Sequence, residues 1–209
     1  MKTVMSLLIV TALSTPALAA AEGPTDVVRA ATEQLQTSIR AHRNEYRHDR
    51  VVFYGAVNQA VAPAVDLAYT SQLVLGKYWR AATPEQRTRF QAVFAKTLVN
   101  AYGDALLERE QNMKIDWRLS TIDAFERSAA VRAQVTTDDA PPMSLLFSMR
   151  LDDANRWLVY DITIEGISLV TNFRSQFASE ARANGIDALI ARLESAAQTP
   201  PASALAQAR

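Results

Sequence analysis

The stretch Leu73–Leu107, LVLGKYWRAATPEQRTRFQAVFAKTLVNAYGDALL, decides the fold, because a helix end, a turn and a long amphipathic helix are all punctuated within it. Thr83 is a helix cap, Pro84 suits the first helical position, and Gln86 stands at the reciprocal capping-box position three residues after the cap. From there Phe90, Val93, Phe94, Leu98, Ala101, Ala105 and Leu106 recur at helical spacing, while Arg87, Arg89, Gln91, Lys96, Asn100 and Asp104 take most of the other side. The spacing predicts a helix from Pro84 to Glu108 or Glu110. At about 1.5 Å per residue it spans close to 40 Å, enough to wall a whole small domain. An apolar stripe alone means only that one face is buried. Upstream, Asp66 caps Leu67–Leu75, whose Tyr69, Leu73 and Val74 turn to the core, and Gly76 ends or bends that helix.

Working outward, Lys2, the apolar run Val4–Leu13 and the small residues around Ala17-Leu18-Ala19 form a secretory signal peptide, residues 1–19, with an alternative cleavage after Ala21. Its apolar run is too short to be a membrane span. Of the chain's 22 basic and 22 acidic residues only Lys2 falls in this segment, so the mature chain is nearly neutral. The near-neutral balance and the lack of any basic run give no electrostatic case for nucleic acid or for general binding to anionic membranes. Residues 22–198 suit one domain with a substantial core, and the Pro- and Ala-rich tail 199–209 is expected to be disordered. There is no cysteine, so an exported chain folds here without disulfides or thiolate metal sites. The only histidines, His42 and His48, sit in a charged segment without partners at metal-ligand spacing.

Before the long helix, Thr25 or Asp26 can cap a helix presenting Val27, Val28, Ala31, Leu35 and Ile39 on one side. A polar turn is expected through Ala41–Glu45, then a second helix over Val51–Ala62 ending before Pro63. After Met113 the period changes to two. Ile115, Trp117 and Leu119 alternate with Lys114, Asp116 and Arg118, and Ala129, Val131, Ala133 and Val135 with Arg132 and Gln134. Past a turn at Asp138–Pro142, Met143, Leu145, Phe147, Met149 and Leu151 share one face. Past Asp152–Asn155, Leu158, Tyr160, Ile162 and Ile164 alternate with Trp157, Val159, Asp161, Thr163 and Glu165. Four consecutive strands with one apolar face predict an α+β fold, an antiparallel four-stranded meander covered on one face by helices. A helix over Ile167–Ala183 follows Gly166, and a shorter one, carrying Ile186, Leu189, Ile190 and Leu193, follows Gly185.

No phosphate-binding glycine loop, zinc-protease pattern, nucleophile elbow or dinucleotide fingerprint occurs. Asp161 and Glu165 share a strand face and form a conceivable carboxylate pair, the one opening for a hydrolase. Two carboxylates on the solvent face or in helix-cap contacts are the commoner explanation. Arg80, Arg87 and Arg174 are possible phosphate neighbours, or solvated surface.

The blocks LVLGKYWRAATPEQRTRFQAVFAKTLVNAYGDAL and WLVYDITIEGISLVTNFRSQFASEARANGIDALIARL resemble the MlaC, or toluene-tolerance, family of periplasmic phospholipid-binding proteins. The resemblance runs from Asp26 to Leu193. Its most specific pieces are Leu75-Gly76-Lys77-Tyr78-Trp79, Thr83-Pro84-Glu85-Gln86, Ala101-Tyr102, Tyr160-Asp161 and Glu165-Gly166-Ile167-Ser168. It implies a noncatalytic, monomeric shuttle of the Gram-negative periplasm that needs no cofactor. Such a shuttle carries phospholipid between an outer-membrane lipoprotein complex and an inner-membrane ABC transporter with a lipid-binding accessory subunit, maintaining outer-membrane lipid asymmetry. It also implies an apolar ligand pocket for the acyl chains, and with the apolar faces above it nominates Val74, Phe94, Leu98, Leu145, Phe147, Met149, Tyr160, Ile162, Val170 and Phe173 as its lipid-binding wall. The readings from another class are the Asp161/Glu165 hydrolase and a structural adaptor whose interior is full.

Overall fold

The computed structural model describes residues 22–118, 121–138 and 140–198; the signal peptide and the tail expected from the sequence lie outside them. Five helices come first: α1 (Pro24–His48), α2 (Arg50–Val61), α3 (Leu67–Leu75), α4 (Lys77–Ala81) and α5 (Pro84–Arg109). Six strands follow, β1 (Lys114–Trp117), β2 (Thr121–Asp123), β3 (Ser128–Thr137), β4 (Ala140–Leu151), β5 (Trp157–Ile164) and β6 (Ile167–Ser168), then α6 (Leu169–Asn184) and α7 (Ile186–Gln198).

The central helix starts as its sequence dictates. Thr83 accepts from the Gln86 amide while the Gln86 side chain accepts from the Thr83 amide, a complete capping box with Pro84 next to the cap. Asp66 caps α3 by accepting from the Tyr69 amide. Gly76 ends α3 at φ 54°, a left-handed conformation that a residue with a Cβ adopts only under strain.

Two expectations about the first helices change. Gly23, not Thr25 or Asp26, occupies the cap of α1, with Pro24 in the first turn. The polar turn expected at Ala41–Glu45 is absent: α1 continues to His48, and only His42 leaves helical geometry (φ −122°, ψ 20°). Tertiary partners hold this polar segment in register. Tyr46 is buried, its ring centroid 5.4 Å from that of Phe53 and its hydroxyl 2.8 Å from that of Ser38. Arg40 and Arg43 reach Glu110 just past the end of α5. The true break comes at Asp49, which caps α2 through the Val51 and Val52 amides.

The sheet is antiparallel throughout, in the order β1-β3-β4-β5-β6, with β2 beside β1 along the same edge of β3. Among the described residues six strands therefore stand where four were expected. The strand expected after Met113 is divided, β1 pairing with Ala133–Thr136 and β2 with Ser128–Ala130. The sixth arises because Glu165 and Gly166 both take positive φ (49° and 82°), the requirement of a tight two-residue hairpin. That turn folds Ile167-Ser168 back onto Ile164-Thr163, so α6 begins at Leu169 rather than Ile167.

The core is in three clusters. The first joins α3, α5, α6 and α7 around Val74, Leu75, Phe90, Phe94, Phe173, Phe177 and Leu189. Phe94 contacts Phe90 (5.5 Å, stacked), Phe173 (5.4 Å) and Phe177 (6.0 Å), the last two edge-on, the arrangement aromatic quadrupoles favour. The second joins α1, α2 and the far end of α5 around Leu35, Ile39, Tyr46, Phe53, Val57 and Leu107. Gly103 permits this crossing, since a Cβ there would lie 3.2 Å from the Phe53 ring. The third is the sheet face: Ala129, Val131, Met149 and Val159 against Val28 of α1.

Candidate functional site: apolar margins between sheet and helices

Strand register puts Ala129, Val131, Ala133 and Val135 of β3 beside Met149, Phe147, Leu145 and Met143 of β4, and Leu145 and Phe147 beside Ile164 and Ile162 of β5. On the other side of β3, Ile115 and Trp117 join the same face. This face is covered unevenly. Where α1 lies on it, Ala129, Val131, Met149 and Val159 are buried. Further along, Trp117, Leu145, Phe147, Ile162 and Ile164 are only half-buried. Trp117 and Phe147 lean together with ring centroids 6.1 Å apart.

The helices leave a matching margin. Phe90, Val93 and Phe94 at the start of α5 are enclosed, but Leu98 and Tyr102, one and two turns on, are half-buried at the rim of the helical core, as are Leu169 and Val170 at the start of α6. Asp161 of β5 accepts from the Val170 amide at 3.0 Å, which fixes the first turn of α6 against the sheet. Burial pushes the Tyr102 phenol above its ordinary pKa, as apolar surroundings do to an acid whose charged form they cannot solvate. Apolar side chains from both layers thus remain half-covered where the clusters fail to merge.

The ten residues nominated from the sequence divide by environment. Leu98 and Val170 lie on the helical margin, and Leu145, Phe147 and Ile162 on the open part of the sheet face. Val74, Phe94 and Phe173 sit inside the helical cluster and Met149 beneath α1, each closely surrounded by protein. Tyr160 occupies the bulge between β4 and β5, where the register shifts after Ser148↔Asp161. Its ring meets Tyr69 edge-on at 5.5 Å, and Arg150, paired with Asp66, lies 4.5 Å from the Tyr69 centroid. Sequence reasoning did not nominate Tyr102, Trp117 or Ile164. Tyr102 stands one turn beyond Leu98, and Trp117 and Ile164 keep the strand alternation, so the periodicity carried the signal for all three.

Asp161 and Glu165 each accept hydrogen bonds from their own surroundings. Asp161 accepts from the Ser168 hydroxyl at 2.6 Å and from the Val170 amide, while Glu165 accepts from the Ser144 amide. Each is committed to holding a turn or a helix start. His42 and His48 are exposed and bond to backbone carbonyls of α1, and no cluster of metal-ligating side chains occurs among the described residues.

The fold is that of an α+β protein in which the sheet face and the helical layer each leave apolar side chains half-covered. The chain belongs to the MlaC protein family, whose model matches residues 29–195. It is 34% identical over 170 residues to the toluene tolerance protein ttg2D of Pseudomonas putida, covering 80% of this chain and 77% of that one. It is 24% identical over 200 residues to the intermembrane phospholipid transport system binding protein MlaC of Haemophilus influenzae, covering 95% and 93%. Among solved structures it superposes, with TM-score 0.77 and 25% identity, on a phospholipid-binding protein from Ralstonia solanacearum in complex with a phospholipid, covering 85% of this chain and 98% of that one.

Proposed function

We propose that this protein is a noncatalytic phospholipid carrier of the Gram-negative periplasm, moving lipid between an outer-membrane lipoprotein complex and an inner-membrane ABC transporter with its lipid-binding subunit. The observation that carries the reading is the half-covered apolar surface of Leu98, Tyr102, Val170, Leu145, Phe147 and Ile162, within a fold whose Ralstonia counterpart holds a phospholipid. Acyl chains lie against these residues; Tyr160 completes the wall at the bulge, and Val74, Phe94, Met149 and Phe173 back it from behind.

Two acyl chains carry on the order of 30 methylenes, and exposing them to water costs about 0.8 kcal/mol each, roughly 20 kcal/mol or more in all. A carrier needs only to match the bilayer's apolar environment, and no catalytic group is required for that. Release into water faces the same cost, so transfer proceeds through docking, where a partner offers a continuous apolar path. Transfer of fluorescent phospholipid to vesicles should therefore accelerate when the membrane-partner domains are added. Equally fast transfer without them would exclude obligatory docking.

Native mass spectrometry of protein purified without detergent tests the central reading, with an expected occupancy of up to about one phospholipid per chain. Preparations that are empty and cannot take up lipid from vesicles would favour the structural-adaptor reading. The hydrolase reading gains nothing from Asp161 or Glu165, both of which are engaged with the backbone.

A further inference from the structure

Around α4 the fold gathers four basic side chains that the sequence scatters over almost a hundred residues. Lys77 and Arg80 are exposed and three apart on one short helix, so they share its outer face, while Tyr78 and Trp79 turn to the helical core. Arg174 of α6 lies across Gly76, its guanidinium 3.1–3.4 Å from where a Cβ would stand. Arg87 of α5 donates to the carbonyls of Trp79 (2.9 Å) and Arg80 (3.5 Å), with its guanidinium carbon 5.3 Å from the Trp79 ring centroid. The four are thus gathered around α4, with Lys77 and Arg80 exposed and Arg87 half-buried.

Among the described residues none of the four makes an ion pair, a condition they share with other basic residues such as Arg47, Arg109 and Arg132, but only around α4 are four of them gathered on adjoining elements. Glu85, the acid nearest in sequence, turns its carboxylate onto Thr83 and its own amide, which holds its pKa below the usual carboxylate range.

We propose that this patch is a docking surface for an anionic phospholipid bilayer, attaching the protein by its α4 side. Among the described residues the exposed large hydrophobics are Val51, Val52, Ile122, Phe125 and Ile167, all outside α4, so the patch lacks the apolar centre around which protein interfaces are built. Attachment to charged headgroups needs no such centre: each basic residue near an anionic surface contributes roughly a fivefold gain, and the sum falls with salt.

The test is flotation with vesicles of phosphatidylcholine alone or mixed with phosphatidylglycerol. Wild-type protein binds the mixed vesicles, and less well as salt is raised. The triple variant Lys77→Glu, Arg80→Glu and Arg174→Glu loses binding at least tenfold, with thermal unfolding and bound lipid unchanged. A control carrying Arg47→Glu, Arg109→Glu and Arg132→Glu, with the same net charge, keeps most of the wild-type binding. Equal binding to both vesicle types, equal loss in the control, or no vesicle binding by wild type, as an acidic protein partner would produce, overturns the proposal.

Discussion

Ser168 donates its hydroxyl hydrogen to Asp161 at 2.6 Å and accepts from the Thr171 amide at 3.1 Å. With the second Asp161 oxygen on the Val170 amide, the pair satisfies two of the amides that the start of α6 would otherwise leave open. A carboxylate that alternation alone allowed to be catalytic is instead part of a helix cap.

Asp161→Ala should therefore cost about 0.5–2 kcal/mol of stability, the usual cost of losing a cap, and lower the melting temperature by a few degrees. Denaturant unfolding measures it. Bound phospholipid should remain near wild type at temperatures where the variant is folded.

Leu98→Asp and Phe147→Asp place a carboxylate on the half-covered margins and should empty the protein of lipid while leaving it folded. Phe94→Ala acts inside the aromatic cluster and should cost about 3–5 kcal/mol, lowering the melting temperature on the order of 10 °C. Lipid content by solvent extraction, read beside thermal unfolding, separates the two effects. Full occupancy in a folded Leu98→Asp protein would remove that residue from the wall.

Glu110 is fully buried, 2.6 Å from Arg40 and 3.7 Å from Arg43, and Arg43 also donates to the Glu108 carbonyl at 3.1 Å. Arg40 is mostly exposed, but Arg43 is enclosed and would be left with an unpaired charge. Glu110→Ala should cost about 3 kcal/mol, toward the lower end for breaking a buried pair. Chemical denaturation should show it, with amide exchange rising first in the second half of α1.

Tyr54 and Tyr102 both ionise above the ordinary tyrosine value of 10.0, chiefly through burial; at Tyr54 the neighbouring Asp104 adds to the effect and Arg50 opposes it. Their raised folded-state pKa values favour the neutral phenols. The associated stability is complete below the unfolded value and is lost as pH rises through the folded one. Absorbance titration should show two late-ionising tyrosines, removed one at a time by Tyr54→Phe and Tyr102→Phe. Loading with phospholipid should raise Tyr102 further and leave Tyr54 in place. An unmoved Tyr102 would take it off the acyl-chain wall.

Local chemistry is what the sequence determined. The Thr83–Gln86 capping box, the Asp66 cap, the break at Gly76 and the alternating strands depend on residues within a few positions of each other, so the chain alone specifies them. Only the tertiary structure decided what depends on distant partners. The polar segment Ala41–Glu45 stays helical because Phe53 and Glu110 hold its neighbours, and the bulge at Tyr160 sets that ring against Tyr69 rather than in strict alternation. Periodicity told which face of each element was apolar. It could not tell which apolar residues would be enclosed, as Phe94 is, and which left half-covered, as Leu98 is one turn later, because burial is set by what the rest of the chain brings against that face.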